Sequence, residues 1–112
     1  MFPNIFIISV IHKMSFQKVN FDFKRKCVSI EKDFHQYHRI DAITWLIIDI
    51  IDFINLGITN FYIIHGYNHG TAIRDYIRND YKIHFKKLYP TKSISIIPIT
   101  NGVTLINIKI KC

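Results

Sequence analysis

The chain has 112 residues, of which 49% are hydrophobic and 21% charged, and its formal net charge at pH 7 is +7. This length suits one domain with its own core, and no apolar run approaches the roughly 20 residues of a membrane-spanning helix. The excess of lysine and arginine favours a polyanionic partner, although an AT-rich coding region enriches lysine, isoleucine and asparagine without any such selection.

Residues 1 to 27 are predicted to form an N-terminal extension that is first apolar and then basic and aromatic. No basic residue precedes the apolar block and no small-residue cleavage site follows it, so a signal peptide is not expected. Because Met14 offers a second start, residues 1 to 13 are interpreted as an upstream misannotation or an added strand, in preference to a membrane-surface segment. Residues 15 to 26 suit a nucleic-acid arm or, alternatively, an amphipathic edge strand or a solvated tail.

From residue 28 onwards the hydrophobic spacing predicts a series of strands and helices. Val28, Ile30 and Phe34 have the two-residue period of a half-buried strand. Residues 39 to 56 change to helical spacing, and Gly57 is suited to the C-cap. The expected buried stripe of this helix consists of Ile40, Ile43, Ile47, Ile50 or Ile51, and Ile54.

A second strand is predicted over residues 60 to 64 and a shorter helix over residues 71 to 79. A strand, helix, strand unit of this size implies parallel pairing with a right-handed crossover. Two further strands, over residues 93 to 99 and 103 to 110, are joined at Asn101-Gly102, which is a strong hairpin signal. The predicted order is therefore β-α-β-α-β-β.

A turn punctuated by glycine lies between the second predicted strand and the second predicted helix. Gly66 and Gly70 allow backbone conformations closed to other residues, and the first N–H groups of the helix lack internal partners. With His65 entering the turn and Arg74 one helical turn inside the helix, a phosphate would meet a backbone dipole, an imidazole and a guanidinium. The segment therefore predicts an anion site suited to nucleic acid.

Three motifs are shared with a known family. Asp33-Phe34-His35 resembles a D-L-H motif, His65-Gly66-Tyr67-Asn68-His69-Gly70 resembles an H-G-x-x-x-G loop, and Asn101-Gly102-Val103-Thr104-Leu105 resembles a closing N-x-G-x-T strand. In this order they are similar to the small MutS-related (Smr) domain, particularly its short stand-alone bacterial form. The resemblance implies an Smr-like domain over residues 28 to 112. Its fold would be a two-layer α/β sandwich, with a four-stranded mixed sheet and two helices.

The resemblance also implies binding to DNA or RNA, with endonuclease activity in some members only. Carried over to this chain, the catalytic residues would be Asp33, His35 and His65. The nucleic-acid contacts would come from Gly66, Tyr67, Asn68, Gly70, Thr71 and Arg74. The chain departs from the family at Gln36 and Asn68, where many members have glycine. Gln36 leaves cleavage open, so a non-catalytic nucleic-acid-binding or ribosome-binding module is the alternative.

Phosphodiester cleavage needs an acid, a base and positive charge beside the phosphate, and histidine titrates in the useful range. His35 and His65 are predicted to share the acid and base roles, with Asp33 orienting His35. Arg74 and the helix N-terminus are predicted to hold phosphate.

We expect no required cofactor and no dedicated metal site. Asp33, His35, His38 and His69 offer ligands for a divalent metal, but they lack the fixed spacing of a structural zinc site. Cys27 and Cys112 form no CxxC pair and are interpreted as free thiols. The expected location is therefore the cytoplasm, with nucleic acid or the ribosome as partner and no membrane.

Overall fold

A computed structural model describes residues 17–25, 27–66 and 70–110. The strands are β1 (Gln17–Asp22), β2 (Cys27–Asp33), β3 (Asn60–Ile64), β4 (Lys92–Thr100) and β5 (Val103–Ile110). Helix α1 consists of three successive segments, Arg39–Thr44, Trp45–Asp49 and Ile50–Asn55. Helix α2 likewise consists of Ala72–Asp75, Tyr76–Asp80 and Tyr81–Leu88, and the middle segment of each helix is a π-helical turn.

The strands form one mixed sheet in the order β1-β2-β3-β5-β4. β2 and β3 pair in parallel, and the other neighbouring strands pair in antiparallel fashion. Ile30, Phe61 and Ile106 are register partners across three strands, so they share one face of the sheet, and both helices contribute to the same core cluster. Within the described residues, the predicted α/β class, mixed sheet and two helices are confirmed, but the sheet has five strands instead of four. The order is therefore β-β-α-β-α-β-β instead of β-α-β-α-β-β.

The additional strand is β1, at the edge of the sheet. It pairs with β2 over six residue pairs, from Gln17 opposite Lys32 to Asp22 opposite Cys27. Of the alternatives for residues 15 to 26, the edge strand is therefore the one that the described part adopts. The sequence left this open because Val19 and Phe21 remain 57% and 48% exposed, so the strand has no strongly buried face.

The core lies between the sheet and the two helices. Trp45 is 1% exposed and contacts Phe34 and Phe61 through its ring. Ile40 was expected in the buried stripe of α1, but it is 73% exposed. It lies in the first helical turn. Ile50 and Ile54 of the predicted stripe are buried, and the rest of the buried face of α1 is formed by Ala42, Trp45 and Leu46.

Helix α2 continues to Leu88, nine residues beyond its predicted end at residue 79. Ile77, Tyr81 and Phe85 recur every four residues, and each is 0% exposed, so one apolar face continues along the helix to Phe85. Lys82, Lys86 and Lys87 lie on the exposed side of the same helix. Within the described part of the chain, no helix combines the length and the apolarity needed to cross a membrane.

Candidate functional site

A cleft of about 580 Å³ opens where the carboxyl ends of β2 and β3 meet the amino ends of α1 and α2. Gly102 and Val103, in the link from β4 to β5 and at the start of β5, also line it. Ligands of open α/β sheets bind at the carboxyl ends of the strands. This cleft therefore occupies the part of the fold where a functional site is expected.

Asp33 and His35 form a close pair at the mouth of the cleft. The carboxylate Oδ1 of Asp33 accepts hydrogen bonds from the backbone N–H of His35 at 2.8 Å and from its Nδ1 at 2.7 Å. A carboxylate can only accept, so the hydrogen of the neutral ring lies on Nδ1 and Nε2 carries the lone pair. The side chain of His35 is 51% exposed, so a ligand can approach it.

The second motif contacts this pair through Gly66. Gly66 has φ of +70°, and a Cβ atom placed on it would lie 2.6 Å from Nε2 of His35 and 2.9 Å from its Cδ2. A side chain at this position would therefore meet both backbone strain and the imidazole. The structure therefore brings the Asp33–His35 segment and the H-G loop together.

His65 lies behind this contact and is only 7% exposed. Its Nδ1 donates to the carbonyl of Gly66 at 2.9 Å, and its Nε2 accepts from the hydroxyl of Thr104 at 2.9 Å. Burial lowers the pKa of His65. The bond to Gly66 opposes this, and the charges of Arg78 and Arg74 lower the pKa further. Both ring nitrogens of the neutral imidazole are used, so the arrangement favours a positioning role over direct proton transfer.

Arg78 completes this network, and the sequence analysis did not single it out. Its Nε donates to the Thr104 hydroxyl at 3.0 Å, and a terminal nitrogen donates to the carbonyls of Thr100 at 2.6 Å and Val103 at 3.2 Å. The carbonyl of Gly102 accepts from the backbone N–H groups of His65 and Gly66. The β4–β5 link is therefore tied to both α2 and the H-G loop. Arg78 follows Arg74 by four residues, and this spacing is the feature of the sequence that could have identified it.

Arg74 itself, predicted to hold phosphate, is paired with a neighbour. Its Nε donates to Asp75 at 3.3 Å, and the Thr71 hydroxyl donates to the same carboxylate at 2.8 Å. The Thr71 hydrogen bond, with the hydrogen bond and charge of Arg74, lowers the pKa of Asp75. Among the described residues Arg74 does not line the cleft, whereas Gly70 and the missed Arg39 do.

The remaining predicted positions are spread around the site. Gln36 is exposed in the turn after Phe34 and is not one of the described cleft-lining residues. His38 is the N-cap of α1 and makes no side-chain capping bond. Tyr67, Asn68 and His69 lie outside the described residues, as does Cys112. Among the described residues, no group of three or more histidine, cysteine, aspartate and glutamate side chains is placed to hold a metal ion.

Beneath the cleft lies a buried lysine that the sequence analysis missed. Lys32 is 0% exposed, and its Nζ donates to the hydroxyl of Tyr37 at 2.7 Å. Burial lowers its pKa to about 8, while the carboxylates of Asp49 and Asp33 oppose the shift. The sequence feature that could have predicted its burial is the two-residue period of β2, because Lys32 shares a face with the core residue Ile30.

Comparison of the chain with protein-family models, with curated proteins and with solved structures gave no match in any of the three. The Smr resemblance therefore stays a prediction that rests on the three motifs.

Proposed function

We propose that this chain is an Smr-type nucleic-acid-binding protein that cleaves phosphodiester bonds with His35 as its proton-transfer group. The observation that supports this most directly is the contact between His35, which is paired with Asp33, and Gly66, since both His35 and Gly66 line the cleft. It places a histidine whose Nε2 makes no hydrogen bond to a described residue beside a glycine turn that precedes a helix. Histidine oriented by a carboxylate is a recurrent arrangement for proton transfer near neutral pH.

Phosphate binding is supported by charge at the cleft. The guanidinium of Arg39 is exposed and belongs to a residue that lines the cleft. The amino ends of α1 and α2 both lie there, and the first N–H groups of a helix, which have no partner within the helix, favour an anion. A phosphodiester held by Arg39 and these N–H groups would lie beside His35. Nε2 would then accept the proton of the attacking hydroxyl or water, and Asp33 would stabilise the imidazolium that forms.

A second candidate function is binding without cleavage, and the state of His65 favours it. Both of its ring nitrogens are engaged, by Gly66 and Thr104, so a second imidazole for the leaving oxygen is not available in this arrangement. In this alternative the same cleft holds nucleic acid, or RNA of the ribosome, through phosphate contacts alone. Such contacts position a protein without reading the sequence of the strand.

Cleavage assays on labelled single-stranded DNA, duplex DNA, branched DNA and RNA, each with and without divalent metal, test the first function. His35→Ala should lower the cleavage rate at least about 100-fold, the usual contribution of general acid–base catalysis. His38→Ala is the matched control because His38 is an exposed neighbour that is not among the described cleft-lining residues. Cleavage that persists in His35→Ala would show that His35 does not transfer a proton in the reaction.

Binding assays separate the two candidates. If nothing is cleaved but binding weakens with salt, the non-catalytic function holds. Arg39→Ala should then reduce the log–log salt slope by roughly 0.9 for each duplex phosphate that Arg39 neutralises in the native chain. Lys82→Ala removes the same charge from an exposed position on α2 and controls for net charge. Absence of binding at low salt to every substrate would contradict both functions.

A further inference from the structure

The cleft is larger and more apolar than a phosphate group requires. Its volume of about 580 Å³ lies in the range of pockets that enclose whole organic ligands, which is about 300–1,000 Å³. Phe34, Tyr37, Ile64, Ile73 and Val103 contribute to its lining, next to His35 and Arg39. A lining that combines charged and apolar side chains suits a ligand that has both an anionic and a flat apolar part.

Tyr37 gives the cleft an aromatic wall that is held in place. Lys32 donates to its hydroxyl at 2.7 Å, while Nζ lies 4.7 Å from the ring centre, so the contact is made at the hydroxyl end of the ring. The ring of Phe34 packs against Tyr37 with centroids 5.1 Å apart. Because Lys32 and Phe34 are almost fully buried, Tyr37 is anchored to the core. An aromatic side chain fixed in this way loses little conformational entropy when a ligand packs against it.

We propose that the cleft receives one unpaired base of a nucleic-acid strand, packed against Tyr37, while the adjoining phosphate lies at His35 and Arg39. This inference rests on the proposed function and narrows its substrate class to strands with unpaired nucleotides. A base in a duplex is paired and stacked, so entering the cleft would cost a few kcal/mol of unstacking and unpairing. A base in a single strand avoids most of that cost and gains an aromatic contact.

The central measurement compares two 12-residue oligonucleotides with the native chain by fluorescence anisotropy. One is single-stranded oligothymidylate, and the other is the same backbone with a tetrahydrofuran abasic residue at each position. Both carry equal charge, so phosphate binding alone gives equal affinities. The base pocket predicts about 5- to 100-fold tighter binding of oligothymidylate, the range found for stacking of one base on an aromatic side chain. A blunt duplex of equal length should bind more weakly than oligothymidylate.

Two variants locate the base contact. Tyr37→Leu should bring the affinity ratio of the two oligonucleotides close to one, because it removes the aromatic wall. Phe23→Ala is the matched control: Phe23 is 83% exposed in the β1–β2 turn and is another aromatic available for stacking. It should leave the ratio unchanged. Since both affinities are measured on one protein, a smaller folded fraction lowers them together and preserves the ratio.

Each outcome has one meaning. No binding of either oligonucleotide contradicts the proposed function itself. Equal affinities in the native chain, or duplex binding as tight as that of oligothymidylate, overturn the base pocket while phosphate binding stands. The two affinities measured with the native chain are sufficient to overturn the base pocket, even if Tyr37→Leu does not fold. A ratio that persists in folded Tyr37→Leu would place the base contact away from Tyr37, on the β1–β2 turn if the ratio disappears in Phe23→Ala, and would also overturn the inference.

Discussion

Lys32→Met is expected to abolish a rise in stability that the native chain shows in mildly alkaline solution. Lys32 is completely buried, and burial lowers its pKa from 10.5 to about 8 in the folded chain. Between these values the unfolded chain holds the proton and the folded chain has lost it. The unfolded state then binds more protons, so the free energy of unfolding increases with pH. Methionine has a similar length and no proton to lose.

The magnitude follows from the size of the pKa shift. Each unit of difference is worth about 1.36 kcal/mol, so the native chain should gain about 2 kcal/mol of unfolding free energy between pH 7 and 9.5. The upper limit of 9.5 avoids the ionisation of tyrosines in the unfolded chain near pH 10. Below pH 7 the contribution of Lys32 should be constant, because both states then carry the proton.

Urea denaturation followed by circular dichroism at pH 7, 8, 9 and 9.5 measures this contribution. The native curve should rise by about 2 kcal/mol relative to that of Lys32→Met. Lys82→Met, on the exposed side of α2, removes the same charge from water and should keep the native rise. If the native chain shows no rise, or if Lys32→Met keeps it, the lowered pKa of Lys32 does not account for the alkaline stability and the reasoning from its burial is wrong.

Three further predictions concern the glycine turn and its network. Gly66→Ala and Gly57→Ala should each lower stability by about 1–2 kcal/mol in urea, since both glycines have positive φ. Only Gly66→Ala should also shift the imidazole NMR signals of His35. Thr104→Val, which leaves Nε2 of the buried His65 without its donor, should cost about 1–3 kcal/mol in the same assay. The lowered pKa of His65 means that the unfolded state binds more protons just below pH 6.5. The native chain should therefore lose stability from pH 7.5 to 5.5 relative to His65→Gln.

The parts of the fold that the sequence predicted well are those with a strong period. The apolar run of β3, the helical spacing of α1 and the Asn101-Gly102 link each have a local physical cause, and each lies where it was expected. The weakly patterned β1 was left open because its identity depends on the partner strand β2. The predicted end of α2 was wrong because the charged residues on its exposed side interrupt the apolar pattern, although the buried face continues to Phe85.

The candidate site shows the same division between local and tertiary information. The Asp33–His35 contact follows from their spacing of two residues, which is local. Arg39 was missed because its place at the cleft depends on how α1 meets the sheet. His65 was expected to exchange protons, and only the buried position of Thr104 on β5 shows that its ring is already fully bonded.

The two histidines differ in a way that bears on the choice between cleavage and binding. His35 bonds one nitrogen to a carboxylate, its other nitrogen makes no hydrogen bond to a described residue and lies next to Gly66, and its side chain is 51% exposed. His65 is buried, holds its neutral form and uses both nitrogens to join the glycine turn to β5. If cleavage occurs, the leaving oxygen must take its proton from water, from a metal-bound water or from the imidazolium of His35 after the first proton transfer. A single-histidine mechanism predicts that one pKa at this site controls the rate, whereas a two-histidine mechanism gives a bell-shaped dependence on pH. The pH profile of any cleavage observed therefore tests whether the bonds to His65 persist when nucleic acid is bound.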